Sequence, residues 1–258
     1  IPIAGRNSRG RPVVNLLPLG EGERISSILP VDEYSEDKFV LMATANGTVK
    51  KTALTQYSRP RSVGLRAVDL VEGDHLVGTA IIDDSSDVML FSSEGKAVRF
   101  ASTDARSMGR VSKGVRGMRL PEGSSVISMV IPEQDGFLLT VCENGYGKRT
   151  KVDEFPTKGR GGKGMIAIQA SERNGPLVGA TQLFSGDEIM LISDQGTMVR
   201  TRGDEVSVVG RNTQGVRIIR LKENENLVSL ARIAEPEEDE FAVSEGAEDT
   251  AETVASDE

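Results

Sequence analysis

The sequence predicts an all-β fold, a β-propeller of four-stranded blades with about 50 residues in each repeat. One repeated feature is a glycine that opens a short apolar and basic stretch, with steps of 54, 50, 50 and 51 residues between Gly10, Gly64, Gly114, Gly164 and Gly215. The other is an X-Gly pair, with steps of 48, 50 and 51 residues between Asn46-Gly47, Glu94-Gly95, Asn144-Gly145 and Gln195-Gly196. Because both features keep one period, the chain is a tandem array, for which a propeller or a solenoid is the first expectation.

The X-Gly pairs predict β-hairpins. Each pair separates two short strand-like runs, as residues 39–44 and 48–51 show in the first repeat. Asn and Gly tolerate the positive φ of a tight primed turn, so the pair indicates one hairpin in each repeat.

Two further stretches complete the repeat. Residues 114–120 and 126–130 are examples, and both are strand-like. Together with the hairpin they give about four strands per unit, which is the size of a propeller blade. No segment carries a sustained i, i+3, i+4 apolar stripe with caps, so we expect almost no helix.

Composition bounds the class of protein. The 258 residues are 38% hydrophobic, enough for a core, but contain no tryptophan of the kind that marks WD-type blades. The lone cysteine, Cys142, excludes an internal disulfide framework, and no signal-peptide pattern or long apolar run is present. A reducing cytosol is therefore the expected compartment. Because the chain starts at Ile1 rather than at a methionine, we expect it to be a piece of a longer polypeptide.

The charge is divided between two parts of the chain. Residues 235–258 contain eleven acids and no Lys or Arg, which leaves +3 on residues 1–234 when set against the net charge of −8. A segment with so few apolar groups cannot bury enough surface to offset the conformational entropy that it would lose on ordering. We therefore predict a disordered acidic tail after a domain that spans residues 1–234. The tail either solubilises the protein or competes for the anion that the basic body binds.

Lysines and arginines recur in two registers. Lys51, Arg99, Arg149 and Arg200 lie four residues after the turn glycines, and other cations lie in the segments around the repeated glycines. Equivalent positions of a propeller occupy equivalent places around its rim, so the cations should form an arc. The predicted DNA-binding residues are Lys50, Lys51, Arg59, Arg61, Arg66, Lys96, Arg99, Arg106, Arg110, Lys113, Arg116, Lys148, Arg149, Lys158, Arg160, Lys163, Arg200, Arg202 and Arg211.

A curved basic edge suits double-stranded DNA, because phosphate contacts need no base sequence. Aromatic residues are too few to act as stacking platforms for single strands. The alternative for any single cation is a solvated strand face paired with a neighbouring acid. Recurrence in register favours the DNA interpretation for the set.

The string Lys158–Gly164 is the most conspicuous local motif. It contains G-x-G-x-x-G, but a strand rather than a helix is predicted after it, so it does not match a dinucleotide fingerprint or a P-loop. We interpret it as a basic glycine-rich loop whose backbone can approach a phosphate chain, with a flexible connector as the alternative.

No catalytic constellation is present in the sequence. The only histidine, His75, follows Gly73-Asp74 and is interpreted as a polar turn residue, and no G-x-S-x-G elbow exists. One cysteine and one histidine cannot supply a zinc site. Cys142 lies in an apolar run and is interpreted as a small core residue.

Four strings carry a family resemblance: residues 10–19, 43–52, 144–150 and 209–216. They closely resemble the C-terminal domain of the bacterial DNA gyrase A subunit, over essentially all of residues 1–234, and the acidic tail resembles that subunit's terminus. The resemblance implies a β-pinwheel, in which blades exchange strands, with a basic rim that bends and wraps duplex DNA independently of sequence. It also implies an A2B2 holoenzyme in which the B subunit hydrolyses ATP to drive negative supercoiling, in the bacterial cytoplasm and on the chromosome.

The chemistry of that holoenzyme is expected outside this chain. The resemblance places the active-site tyrosine in the N-terminal part of the A subunit, and Tyr34, Tyr57 and Tyr146 do not match it. ATP and Mg²⁺ are likewise bound elsewhere, so no cofactor is expected here and no membrane contact. The chain alone carries neither the catalytic tyrosine nor an ATPase motif of this type II topoisomerase.

The sequence departs from the family pattern at its start. The family has about six hairpin modules and a basic heptapeptide in the first blade, whereas this chain has four modules and only a degenerate copy of the heptapeptide at Lys158–Gly164. We therefore predict an open edge at the strands of residues 215–233 and incomplete wrapping. The alternatives are the C-terminal domain of the topoisomerase IV A-type subunit, a protein-interaction propeller, and a propeller enzyme with acids at its channel.

Overall fold

The computed structural model describes residues 9–234 except 11, 13, 14, 16, 18, 21 and 62. The predicted acidic tail, residues 235–258, lies outside the described residues. Within them the chain forms fifteen strands and four short 3₁₀ turns, and no α-helix occurs in this part of the chain. The predicted all-β class is confirmed.

Eight of the strands form the four predicted hairpins: β1 (Phe39–Thr44) with β2 (Thr48–Ala53), β4 (Asp87–Ser92) with β5 (Lys96–Ala101), β8 (Phe137–Cys142) with β9 (Tyr146–Lys151), and β12 (Glu188–Ser193) with β13 (Met198–Arg202). Four longer strands pair with the first strands of the hairpins: β3 (Leu76–Ile82), β7 (Val126–Val130), β11 (Leu177–Leu183) and β15 (Leu227–Ile233). Three two-residue strands complete the set: β6 (Val115–Arg116), β10 (Met165–Ile166) and β14 (Val216–Arg217).

Each complete sheet borrows its fourth strand from the following repeat. The sheet orders are β3-β1-β2-β6, β7-β4-β5-β10 and β11-β8-β9-β14, and the fourth sheet is β15-β12-β13. The strands β3, β7, β11 and β15 contact one another in succession, so they lie innermost. The borrowed two-residue strands therefore lie at the outer edge. Four antiparallel sheets in this arrangement are the blades of a propeller with strand exchange.

Three hydrophobic cores lie between successive sheets. Leu41 of the first sheet packs in one core with Leu90 of the second. The adjacent residue Met89 points to the opposite face, because side chains alternate along a strand, and it packs in the next core with Leu138. The first strands of the hairpins are therefore apolar on both faces, which explains their continuous hydrophobic runs.

The hairpin turns differ from the predicted primed type. A type I′ turn needs positive φ at both central residues, but Asn224 is the only non-glycine with positive φ in the described part of the chain. Gly47 is instead the fourth residue of its turn, with φ +81° and its N–H donating to Thr44 O at 2.9 Å. The turn still requires glycine at position 47, because the residue there is left-handed. It does not require asparagine at position 46.

The repeated glycines allow the borrowed strand to approach its host closely. Gly114 has φ +101°, and a Cβ built there would lie 2.6 Å from Val49 O and 2.8 Å from Thr48 Cγ2. Gly164 and Gly215 would meet the carbonyls of Ala97 and Gly147 at 2.8 and 2.4 Å. Gly64 has the same handedness, φ +77°, but nothing lies within 4 Å of its Cβ position. The positive φ thus requires glycine at all four positions. At Gly114, Gly164 and Gly215 a side chain would also collide with the host strand.

Replacing Gly114 with alanine should therefore destabilise the fold more than replacing Gly64. Both variants pay about 1–2 kcal/mol for a left-handed residue with a Cβ. Gly114→Ala should lose a further ~1–3 kcal/mol, because β6 must move away from β2. Chemical denaturation of the two variants checks this, and equal free energies of unfolding would contradict the packing role.

The predicted open edge is in the wrong place. Residues 215–233 contain β14, which pairs with β9, and β15, which pairs with β12. The strand without an outer partner among the described residues is β13, since the borrowed strand always comes from the following repeat. The sequence-based prediction placed the open edge at the strands that the missing first blade would have joined to close the ring.

Candidate nucleic-acid interface

Four segments around the repeated glycines form the candidate site, and we name them the rim segments: residues 59–68, 105–119, 156–169 and 206–221. They contain fourteen lysines and arginines and no aspartate or glutamate. Their cations are Arg59, Arg61, Arg66, Arg106, Arg110, Lys113, Arg116, Arg119, Lys158, Arg160, Lys163, Arg211, Arg217 and Arg220.

The rim segments from residue 105 onward lie on the outside of the sheets. Three of them contain β6, β10 and β14, which are the outermost strands. The segment before β6 also runs beside β2, where Met108 N–H donates to Lys51 O at 2.9 Å. Strand exchange therefore covers the outer edge of a hairpin with basic residues of the following repeat.

Neighbouring rim segments contact each other. Gly161 N–H donates to Gly117 O at 2.6 Å, and Arg119 N–H donates to Gly162 O at 2.8 Å, which joins the second segment to the third. The third joins the fourth through Gln169 N–H and Thr213 O, 3.0 Å apart. The three segments from residue 105 onward therefore form one continuous strip.

Two arginines also join the segments through their side chains. Arg160 Nη1 donates to Arg116 O at 2.9 Å, and Arg211 Nη1 donates to Ile166 O at 2.7 Å. Both arginines lie four residues before a repeated glycine, and both acceptors belong to the borrowed strand of the preceding repeat. Arg160 and Arg211 are half-buried as a result and keep only part of the guanidinium for a ligand.

The rim cations are almost free of internal ion pairs. Eight ion pairs occur among the described residues, and only one involves a rim cation, Arg66 with Asp69 at 4.0 Å. Most rim side chains are exposed, including Arg59, Arg61, Arg66, Arg106, Lys113, Arg116, Lys158 and Lys163; Arg110 is half-buried. Uncompensated cations on a continuous exposed strip create a positive potential along it.

The predicted cations of the first register, on the second strands of the hairpins, do not form the exposed arc that the sequence predicted. Lys51 and Arg149 are buried, as are Lys50 and Lys148, and Arg99 is half-buried. These residues lie on the second strands of the hairpins, which the rim segments of the following repeats cover. Only Arg200 and Arg202 on β13 are exposed, because no rim strand covers β13 in the described residues.

The buried cations are occupied within the fold. Lys51 pairs with Asp84 and lies 4.2 Å from the centre of the Phe39 ring. Arg149 Nε donates to Val206 O at 2.8 Å, and its guanidinium bonds both the carboxylate and the carbonyl of Asp204. The N–H of Gly186 and then Arg149 hold the pKa of Asp204 below its usual value. These contacts stabilise the fold rather than a ligand.

Three other predicted cations pair with acids. Arg99 bonds Asp87 at 2.7 Å, and Lys96 bonds Glu94 at 3.2 Å. Arg200 Nε bonds Glu188 at 2.5 Å. The solvated, acid-paired alternative therefore holds for Lys96 and Arg200, while Arg99 also donates to two carbonyls and is largely internal.

The chain was compared with known proteins. A family model described as the DNA gyrase C-terminal domain, a β-propeller, matches residues 1–32, 38–83, 86–133, 136–182 and 187–234. The chain belongs to this family. The last four matched segments each begin at a hairpin, so the gyrase repeats coincide with the blades described above.

Relatives with similar sequences are DNA gyrase A subunits. The chain is 56% identical to the subunit of Salmonella typhimurium over 257 residues, and 50% identical to that of Pseudomonas aeruginosa over 279. These alignments cover 97% and 92% of this chain but only 29% and 30% of the relatives. The chain thus spans less than a third of their length.

Solved structures agree with the family. A DNA gyrase A C-terminal domain superposes with a TM-score of 0.77 and 28% identity, covering 90% of this chain and 78% of the other. A topoisomerase IV C-terminal domain has a TM-score of 0.81 at 23% identity, covering 87% and 70%, and so shows the fold alone. The gyrase assignment fits better than the topoisomerase IV alternative.

The glycine-rich loop of this gyrase-family domain lies within the third rim segment. Gly161 has φ +79° and Gly164 φ +81°. Gly159 has no atom within 4 Å of its Cβ position. Lys158, Lys163 and Arg99 border a groove of about 200 Å³ beside this loop. Exposed backbone beside two lysines permits the close phosphate approach that the sequence predicted.

Sequence reasoning missed four arginines near the site. Arg119, Arg217 and Arg220 lie in rim segments, and the absence of acids around them was the available signal. Arg173 and Arg217 both lie close to Tyr146, with Cζ atoms 4.4 and 5.2 Å from the ring centre. No sequence pattern indicated this cluster, because Arg173 comes from a separate loop.

The described residues also bear on metal binding, membrane insertion and the roles of Cys142 and His75. They contain no group of three His, Cys, Asp or Glu side chains placed to hold a metal ion. None of their helices has the length and apolar character needed to span a membrane. Cys142 is buried in the second core, and burial raises the pKa of its thiol to about 12. His75 is exposed in a turn, where its carbonyl accepts from Ala45 N–H.

Proposed function

We propose that this chain binds duplex DNA through its rim segments, independently of base sequence, and bends the duplex around the outer edge of the propeller. One observation carries the proposal: fourteen cations lie on acid-free rim segments, three of which form outer sheet edges, and only one of the fourteen has an ion pair among the described residues. Phosphate contacts supply most non-specific affinity, because each contact releases condensed counterions.

Bending is energetically accessible to such an edge. Smooth bending of 20–30 bp by 40–90° costs on the order of 1–6 kcal/mol. Several phosphate contacts along a curved basic strip offset a cost of this size. Other proteins likewise recognise DNA only through its backbone and its ease of bending.

We propose the same role within the whole protein. The family match supports this proposal, in which the chain acts as the DNA-wrapping domain of a DNA gyrase A subunit. It assembles there with the N-terminal part of that subunit and with the B subunit as A2B2. ATP and Mg²⁺ bind elsewhere in that holoenzyme, which acts on the chromosome in the bacterial cytoplasm. The domain contributes binding and bending to supercoiling, and no bond chemistry.

Energy transfer between dyes at the two ends of a duplex of about 60 bp tests the proposal. That length is below half the persistence length, so the free duplex stays nearly straight. Adding the full chain at 50 mM salt should bring the ends closer for any sequence of the duplex. Binding without end-to-end approach would contradict bending, and no binding would contradict the DNA function itself.

A protein-interaction role is the second candidate, and one observation favours it. An apolar groove of about 820 Å³ lies against the first sheet, bordered by Ile25, Ile28, Val31 and Tyr34. These side chains are exposed. The groove does not account for the basic rim. A chain that binds no duplex at 50 mM salt would leave this alternative as the better supported one.

A further inference from the structure

Lys148 lies completely buried beneath the fourth rim segment. Its Nζ donates to Gly210 O at 2.7 Å, to Arg211 O at 2.5 Å and to Thr213 Oγ1 at 3.1 Å. Its side chain is 0% exposed. A buried ammonium is costly unless every proton has an acceptor. Here all three protons are used, and all three acceptors belong to one rim segment.

Lys50 repeats this arrangement two blades earlier. It lies three residues after its turn glycine, as Lys148 does, and it is 1% exposed. Its Nζ donates to Arg110 O and, at 2.6 Å, to Ala67 O. Arg110 and Arg211 both lie four residues before a repeated glycine. The same backbone carbonyl of the rim segment is therefore held in both blades.

The blade between them lacks this contact. Val98 occupies the position of Lys50 and Lys148 on β5, and the rim segment that covers β5 is the glycine-rich loop. Two rim segments are thus held from inside by an ammonium, and one is not. The contact occurs only in the two rim segments that lack a glycine-rich string. A blade can therefore form without it, and its role belongs to the rim segment.

We propose that Lys50 and Lys148 are positioning residues for DNA binding, each holding a rim-segment backbone inward so that its cations face the duplex. The inference rests on the proposed function. Each lysine turns the carbonyl of the rim arginine toward the core, which fixes the arginine's Cα on the outer side. The buried charges also add to the positive potential of the rim.

Titration separates this role from ordinary core packing. Burial, the largest influence, lowers the pKa of Lys148 to about 8 from 10.5; Glu154 raises it, Arg211 lowers it and Cys142 raises it. Between pH 7 and 9 the folded protein loses this proton while the unfolded chain keeps it. The unfolded state then binds more protons, so stability rises with pH across this window. The DNA affinity should fall across the same window, because the rim segment loses one donor and one charge.

Three variants of the full chain test the inference: Lys148→Met, Lys50→Met and, as a matched control without an ammonium to lose, Val98→Met. Circular dichroism confirms folding before each titration. Binding of a 40 bp duplex is measured by fluorescence anisotropy at pH 7 and pH 9 over 50–200 mM salt. Each lysine variant should bind more weakly at pH 7, with the slope of log K against log salt shallower by about 0.9, one phosphate contact.

The pH dependence provides the second readout. Wild-type affinity should be lower at pH 9 than at pH 7, Lys148→Met should lose most of that difference, and Val98→Met should behave as wild type. Lysine variants that fold and bind with wild-type slope and pH dependence would overturn the inference while leaving the proposed function standing. A wild-type chain that binds no duplex would instead overturn the proposed function. If Lys148→Met does not fold, the salt slope of DNA binding by Lys50→Met tests the inference in its place.

Discussion

Replacing Lys113 and Arg116 with glutamine is expected to weaken duplex binding by one to two powers of ten at about 100 mM salt, since each neutralised phosphate contributes about 0.9 to the salt slope. Both side chains are exposed on the second rim segment and have no ion pair within the described residues. The slope of log K against log salt should become shallower by about two. Anisotropy titrations of the double variant measure both quantities.

The matched control removes two cations away from the rim. Arg24 lies on the segment that contacts β3, the innermost strand, through Ser26 and Ser27. Lys38 immediately precedes β1 and pairs with Asp83 at 3.0 Å. Arg24→Gln/Lys38→Gln changes the net charge equally and should leave the slope within about 0.5 of wild type. Equal effects of the two double variants would show a response to net charge alone.

Replacing Arg149 with methionine is expected to lower stability by about 2–5 kcal/mol, because the carbonyls of Val206 and Asp204 lose their donors in a buried site. For a domain of this size the melting temperature should fall by roughly 5–15 °C. The salt slope of DNA binding should change less than in Lys148→Met, because Val206 lies at the start of the fourth rim segment, five residues before its first cation, Arg211. Calorimetry and the anisotropy titration measure the two effects separately.

Arg200→Met is the control from the same register. Arg200 pairs with Glu188 on the surface of the fourth blade, where the guanidinium is 58% exposed. An exposed pair contributes about 0.2–1 kcal/mol, so the melting temperature should shift by only a few degrees. A large shift for Arg200→Met, or a small one for Arg149→Met, would contradict the assignment of buried and exposed positions within this register.

The fold was largely predictable because its determinants are local and repeated. The glycine of each X-Gly pair adopts the positive φ that its turn needs, and continuous apolar runs mark strands buried on both faces. The exchange of strands is not local: Val115 pairs with Val49, 66 residues earlier. Each repeat lends its short strand to the preceding blade, so β14 pairs with β9, and the open edge among the described residues is that of β13 rather than the predicted residues 215–233.

The same exchange explains the error at the candidate site. Lys51 and Arg149 have the pattern of exposed strand cations, but the segments before β6 and β14 run beside them and contribute to their burial. The second register was predicted correctly as a connecting segment, because glycine and basic residues without acids indicate solvated loops. Whether it contacts DNA stays a prediction. Its outer position came from the structure, which places β6, β10 and β14 beyond the hairpins.

The salt dependence of duplex binding shows whether the rim segments bind the DNA backbone. Anisotropy of a 40 bp duplex is titrated with the full chain from 50 to 200 mM salt, using two duplexes of unrelated sequence. The chain should bind both with one affinity and a log–log slope steeper than about −4, as five or more phosphate contacts at about −0.9 each require. No binding at 50 mM salt, or a slope near zero, would contradict a DNA-binding rim.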